Sequence, residues 1–241
     1  MNRLLELLSP IEKDAKLFSK EPKSDSQNTI TKIGGIPWWP DGIERPKDKK
    51  GRPMKFVAQI NLADVDSIDL PDALVSFHYS VEDMSEGNMC FGVYDLNGNT
   101  DSYDIRVFTK ISERSSESVV VDDAEAYHLS SKIVKLAPSS SEEMLADIEQ
   151  QIENEIKNVD LGDLWDEAIE HYYREFEEGE SHVGGYPQWW QDPEYPKNES
   201  GDEYTFVAYI DGMLIDAVES YLFVDCTDKE NPKAEFVCQT T

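Results

Sequence analysis

Cysteine is scarce in this chain. There are three in 241 residues, Cys90, Cys226 and Cys238, an odd number with no Cys-x-x-Cys pair. That argues against a disulfide framework and a zinc knuckle. Each lies in an apolar, strand-like run, where free cysteine behaves as a small buried hydrophobe, and a reducing cytoplasm is the expected compartment. Long apolar runs are also missing, so no transmembrane helix is expected. The start is not read as a signal peptide, because Glu6 interrupts the apolar stretch and no small-residue cleavage site follows. Positive charge is in short supply: 22 Lys and Arg stand against 50 Asp and Glu, a formal net charge of −28. Such a surface repels nucleic acid and anionic membranes, so neither is an expected partner. Catalytic signatures are absent too. There is no Gly-x-Ser-x-Gly, no His-Glu-x-x-His, no phosphate loop and no Gly-x-Gly-x-x-Gly. No cofactor is expected, and a binding protein is favoured over an enzyme.

The chain does hold enough apolar material to fold, with 39% hydrophobic and 10% aromatic residues. Its most informative feature is a self-match at a shift of 150. Ile33-Gly34-Gly35-Ile36-Pro37-Trp38-Trp39 aligns with Val183-Gly184-Gly185-Tyr186-Pro187-Gln188-Trp189. Without a gap, Gly51 then meets Gly201, and Phe56-Val57-Ala58-Gln59-Ile60 meets Phe206-Val207-Ala208-Tyr209-Ile210. The glycines permit positive φ or close backbone approach, and the proline pushes its predecessor to extended geometry. The tryptophans supply a large apolar body with one N–H that needs a partner. Each half thus delivers the chain through a tight turn into a core strand. Two modules packed about a pseudo-two-fold axis are expected.

The segments Lys32–Pro40 and Pro53–Leu62, with His182-Val183-Gly184-Gly185-Tyr186-Pro187 in the second half, resemble the signature blocks of the YwqG-like proteins, a bacterial family of unknown function. The likeness runs from about Thr31 to Asp225. It implies a cytoplasmic bacterial α+β protein and brings no catalytic residues. Relatives sometimes encoded beside polymorphic toxins suggest an immunity role for some members.

The expected class is α+β: one domain over 1–241, with β-rich pseudo-repeats at about 31–138 and 181–241, a helical insert at about 140–179 and an N-terminal helical segment. Residues 2–8 read as a short helix. Ser9-Pro10-Ile11-Glu12 then supplies an N-cap, a first-turn proline and a capping-box glutamate for a second helix to about Phe18. Strands are expected at Leu74–Ser80, Met89–Tyr94, Ser102–Phe108, Ser118–Val121, Ile133–Leu136, Phe206–Ile210, Tyr221–Asp225 and Ala234–Gln239, with a hairpin turn at Asn97-Gly98. Leu145, Ile148, Ile152 and Ile156 recur at helical spacing, and a second stripe runs from Leu161 to Phe176.

Two metal patterns are weighed and set aside. Asp95-Leu96-Asn97-Gly98-Asn99-Thr100-Asp101 opens like a calcium loop but has Thr100 and Arg106 where glycine and glutamate are needed. Glu167, His171 and Glu175 are spaced like ligands but fall on a solvated helix face. No metal is expected. The acidic stretch from Glu142 to Glu180 carries more weight: fifteen carboxylates against Lys157 and Arg174. Glu175, Glu177 and Glu178 crowd an expected helix C-terminus, against the macrodipole. Sites that break a local preference are often functional. The leading expectation is therefore an immunity-type protein that occludes the basic surface of a cationic toxin, such as a nuclease, through Glu167, Glu170, Glu175, Glu177, Glu178 and Glu180. Trp189 and Trp190 stand near as apolar anchors. The alternative is a small-ligand binder or enzyme with its site between the two repeats.

Overall fold

The structure is a computed structural model that describes residues 6, 9–20, 29–80, 103–111, 126–138, 180–212 and 219–239. Its elements are two single-turn 3-10 helices, Ser9–Ile11 and Leu62–Asp64, and ten strands. The strands are β1 (Lys13–Ser19), β2 (Lys32–Ile33), β3 (Lys55–Asn61), β4 (Ala73–Tyr79), β5 (Tyr103–Thr109), β6 (Tyr127–Leu136), β7 (His182–Gly184), β8 (Thr205–Ile210), β9 (Glu219–Asp225) and β10 (Lys233–Gln239). All pair antiparallel in one sheet of order β10-β9-β8-β7-β1-β6-β2-β3-β4-β5. The sheet curls until its two edges meet through side chains, Tyr103 of β5 lying 5.0 Å from Phe236 of β10 between ring centroids. The result is a nearly closed barrel, since curling brings the two open edges together.

This corrects the α+β expectation: the described residues are nearly all β-sheet, with no helix of seven or more residues among them. The N-terminal helix expected up to Phe18 is instead β1. Ala15 and Leu17 are buried on one face while Phe18 enters the barrel core on the other, which is the period of a strand. β1 is a central strand paired on both sides, with β6 and with β7. Those ladders outweigh the local capping signal of Ser9-Pro10-Ile11-Glu12, which closes only a 3-10 turn. The helical insert at 140–179, residues 2–8 other than Glu6, the hairpin at Asn97-Gly98, the strands at Met89–Tyr94 and Ser118–Val121, and Cys90 lie outside the described residues.

Residues 150 apart hold matching places. β2-β3-β4-β5 and β7-β8-β9-β10 are two four-strand meanders placed on either side of the β1–β6 pair. Both Gly-Gly pairs have positive φ, 72° and 69° at Gly34 and Gly35, 73° and 71° at Gly184 and Gly185. Their loops then close the same small hairpin, with bridges Lys47–Pro53 and Lys197–Glu203. Asp48 Oδ1 accepts from the Lys50 and Arg52 amides at 2.9 Å, and Asn198 Oδ1 from Ser200 and Asp202 at 3.0 and 2.9 Å. A register shift falls between Phe56 and Ala58, and again between Phe206 and Ala208. The barrel interior is one apolar cluster drawn from both meanders, including Val57, Val75 and Phe77 beside Val207, Leu222 and Phe236. On the outside, each Trp-bearing loop covers its own strands. No helix among the described residues is long and apolar enough to cross a membrane.

Candidate functional site

The two loop-covered outer faces share a frame and differ in filling. In the second meander, cross-strand pairing sets Tyr209, Tyr221 and Val237 in one rung and Phe206, Phe223 and Glu235 in the next. Trp189 lies over them, 4.5 Å from Tyr221 and 5.9 Å from Phe223 between centroids, with Tyr195 edge-on at 5.5 Å. This is an aromatic plug, and Trp189 belongs to it. Its neighbour Trp190 is the exception, with 47% of its surface exposed.

Trp190 is exposed but not loose. Its amide donates to Gln239 Oε1 at 2.9 Å and to the Tyr221 hydroxyl at 3.2 Å. The same Gln239 oxygen accepts the Gln191 amide at 2.9 Å, and Gln239 Nε2 donates to the Asp192 carbonyl at 3.0 Å. The indole N–H donates to the Tyr209 hydroxyl at 3.2 Å, which donates to Glu219 Oε2 at 2.5 Å. Burial pushes the Glu219 carboxyl above its ordinary value, opposed by the Tyr209 hydroxyl and the Gly212 amide. Burial likewise drives the Tyr209 and Tyr221 phenols far up, so both stay neutral donors. A large aromatic surface is thus held in one pose by a satisfied network, with the exposed side chains of Asp192 and Glu194 next in sequence.

Of the other residues expected at a partner surface, Glu167, Glu170, Glu175, Glu177 and Glu178 lie outside the described residues. Glu180 is described. It is partly buried and stands 4.0 Å from Lys132 Nζ, so an ion pair with its own chain already engages it.

In the first meander the matching rungs are Gln59, Ser76 and Arg106, then Phe56, His78 and Asp104. Trp39 covers them and is 1% exposed, its N–H donated to the Ile43 carbonyl at 2.8 Å. Phe108 and His78 meet its ring edge-on at 4.9 and 5.3 Å. The Arg45 and Arg106 guanidinium carbons lie 5.2 and 5.5 Å from the same ring. Arg106 is oriented by Asp104 through 2.7 and 3.0 Å bonds and by the Glu44 carbonyl at 3.3 Å. His78 is 2% exposed, and neither ring nitrogen has a hydrogen-bond partner among the described residues; the Ser76 hydroxyl on the same strand face is alike. Burial, with the Arg45 and Arg106 charges adding, drives the imidazole down to about 3, so it is neutral. Each unsatisfied group of this kind costs about 1–3 kcal/mol.

The sequence pattern assigned no site to Arg45, Ser76, His78 or Arg106. The signal was there in the self-alignment, where Arg45 meets Tyr195 and Gln59 meets Tyr209.

A cavity of about 270 Å³ lies where the sheet edges meet, walled by Ala73, Thr109 and Lys110 of one half and Lys229 and Glu230 of the other. Lys229 bridges the halves through Asp69 at 2.6 Å. Among the described residues no three His, Cys, Asp or Glu side chains gather as a metal ion would need.

One family model decides the chain's kinship, matching residues 31–211, most of the molecule and both Gly-Gly loops. The chain belongs to the DUF1963 family. That family is a domain of unknown function. The matched span takes in β2 to β8 and ends at Asp211, just beyond β8. No curated protein matches the chain.

Proposed function

We propose that this DUF1963 member, read more finely as YwqG-like, is a protein-binding module of the immunity type, which masks the basic surface of a cationic toxin. The observation that carries this reading is Trp190. A half-exposed tryptophan clamped through both of its N–H groups has already lost the rotamer freedom that binding would otherwise cost. Rigid aromatics of this kind are the usual energetic centres of protein interfaces. The net charge of −28 supplies long-range attraction for a cationic partner and repels the nucleic acid such a partner would otherwise hold. Asp192, Glu194 and the acidic stretch through Glu180 place carboxylates before the anchor in sequence and just after it.

The test is association with the product of the adjacent gene, followed by stopped flow at rising salt. The on-rate falls as salt screens the charges, and Trp190→Ala speeds dissociation at least tenfold while leaving the on-rate nearly unchanged. A salt-indifferent on-rate removes electrostatic docking, and the absence of any complex rejects the pairing.

A further inference from the structure

We propose that the outer face of the first meander is a binding site for a small oxyanion, a phosphate or carboxylate group, seated at the Arg45 and Arg106 guanidiniums above His78 and Ser76. Where the second meander places Tyr195, Tyr221, Phe223 and Val237, the first places Arg45, Ser76, His78 and Arg106. The frame therefore accommodates aromatic or aliphatic side chains at these four places, and the first meander, which keeps Trp39 where the second has Trp189, puts polar ones there. It keeps instead two buried polar side chains, His78 and Ser76, that have no hydrogen-bond partner among the described residues. Native interiors leave few such groups, and a bound water, ion or ligand is a common reason for them.

Charge points to the sign of the ligand. The hairpin loop over this face, 43–55, carries Arg45, Lys47, Lys49, Lys50, Arg52 and Lys55 against Glu44 and Asp48. Its counterpart, 193–205, carries Lys197 against Glu194, Glu199, Asp202 and Glu203. In a chain of net charge −28, a cationic loop is a local exception. A compact anion can reach it, whereas an extended polyanion meets the repulsive field of everything around it. Arg106 is held in place by Asp104 and the Glu44 carbonyl, and its side chain is still 35% exposed. Asp104 takes the Nε–Nη2 edge of the guanidinium, and the remaining Nη1 and Nη2 hydrogens at its outer end are suited to a planar or tetrahedral oxyanion. A neutral imidazole and a hydroxyl beneath offer uncharged donors, which orient an anion without a second buried charge.

The experiment titrates inorganic phosphate and, separately, citrate into the full chain by calorimetry at 150 mM NaCl, which also separates the two oxyanion sources. Saturable one-to-one binding of at least one is expected. Arg106→Val and His78→Phe, the residues of the second meander, each weaken it at least tenfold, and His78→Phe melts no lower than the parent because it removes two unpaired polar atoms. Arg106→Lys, which keeps the charge and loses the fork, weakens binding less than Arg106→Val and serves as the folded control. Unsaturable heats for both anions overturn the proposal. So does undiminished binding in the two variants, or binding of a short oligonucleotide in preference to either small anion.

Discussion

Acidifying the solution from pH 8 to pH 5 is expected to destabilise this protein through two buried histidines. His78 is held neutral down to about 3 by burial and the two nearby guanidiniums. His182 is held neutral down to about 4 by burial, partly offset by the Tyr186 and Glu180 backbone groups it contacts. Its Nε2 lies 3.0 Å from the Tyr186 carbonyl. In the unfolded chain both titrate near the ordinary value of 6.5. Between 6.5 and the folded values the unfolded state therefore binds more protons than the folded one. Stability is complete above 6.5 and falls as the pH drops. At pH 5, about 1.5 units below the unfolded value, each histidine costs about 2 kcal/mol, so the pair removes about 4 kcal/mol. That is a large share of a typical domain's stability. Glu219 and Glu235 act in the opposite sense, because burial raises their carboxyls and favours the protonated folded form as the pH falls. Comparing variants isolates the histidine share. Urea unfolding followed by tryptophan fluorescence at pH 8 and pH 5 should show a loss in the parent that shrinks by about 2 kcal/mol in His78→Phe and again in His182→Asn. Equal losses in parent and double variant would refute the assignment of the pH dependence to these rings.

Other substitutions follow from the matched frames. Gly185→Ala places a Cβ 2.8 Å from Ala15 Cβ and 2.9 Å from Leu136 Cδ1 at φ +71°, and should cost clearly more than Gly201→Ala, which at φ +89° with nothing within 4 Å should cost only about 1–2 kcal/mol of left-handed strain. Thermal melts compare the two. Trp39→Ala empties a filled socket and should cost about 3–5 kcal/mol, whereas Trp190→Ala should stay within about 1 kcal/mol in the same denaturant titration. Asp48→Ala removes the acceptor for the Lys50 and Arg52 amides and for the Ser80 hydroxyl, and should cost about 1–3 kcal/mol. Asp48→Asn, the residue of the second loop, should recover most of that in chemical denaturation because Asn198 makes the same amide bonds. The Arg52 side chain and the loop amides hold Asp48 down to about 2. Its contribution is thus present above 3.8 and disappears only as the pH falls toward 2.

The legible parts of the sequence were those where the local pattern and the tertiary role agree. Phe206–Ile210 and Tyr221–Asp225 are short apolar runs between polar turns, and both are core strands at nearly the expected bounds. The paired glycines announced positive φ, and all four have it. β1 was not legible, because Lys13–Ser19 follows a good capping sequence and its alternation spans only a few residues. Its strand character comes from neighbours more than a hundred residues away. The β6 strand was legible only in its last four residues, since Tyr127–Lys132 is polar and gains its place by pairing with β1 and β2. The first-meander cluster was hidden for a related reason. His78 meets Phe56 and Asp104 only once the register is known. The Trp189-Trp190 pair was legible as aromatic, but its division into a plug and an exposed shelf depends on Gln239 and Tyr209, which lie far along the chain.

Stopped-flow association of the parent and Trp190→Ala with the adjacent gene's product, across a salt series, bears most directly on the proposed role. A steep fall of the on-rate with salt in both proteins, and a dissociation rate at least tenfold higher in Trp190→Ala, is the predicted outcome. A complex whose lifetime ignores Trp190 and whose formation ignores salt would contradict it.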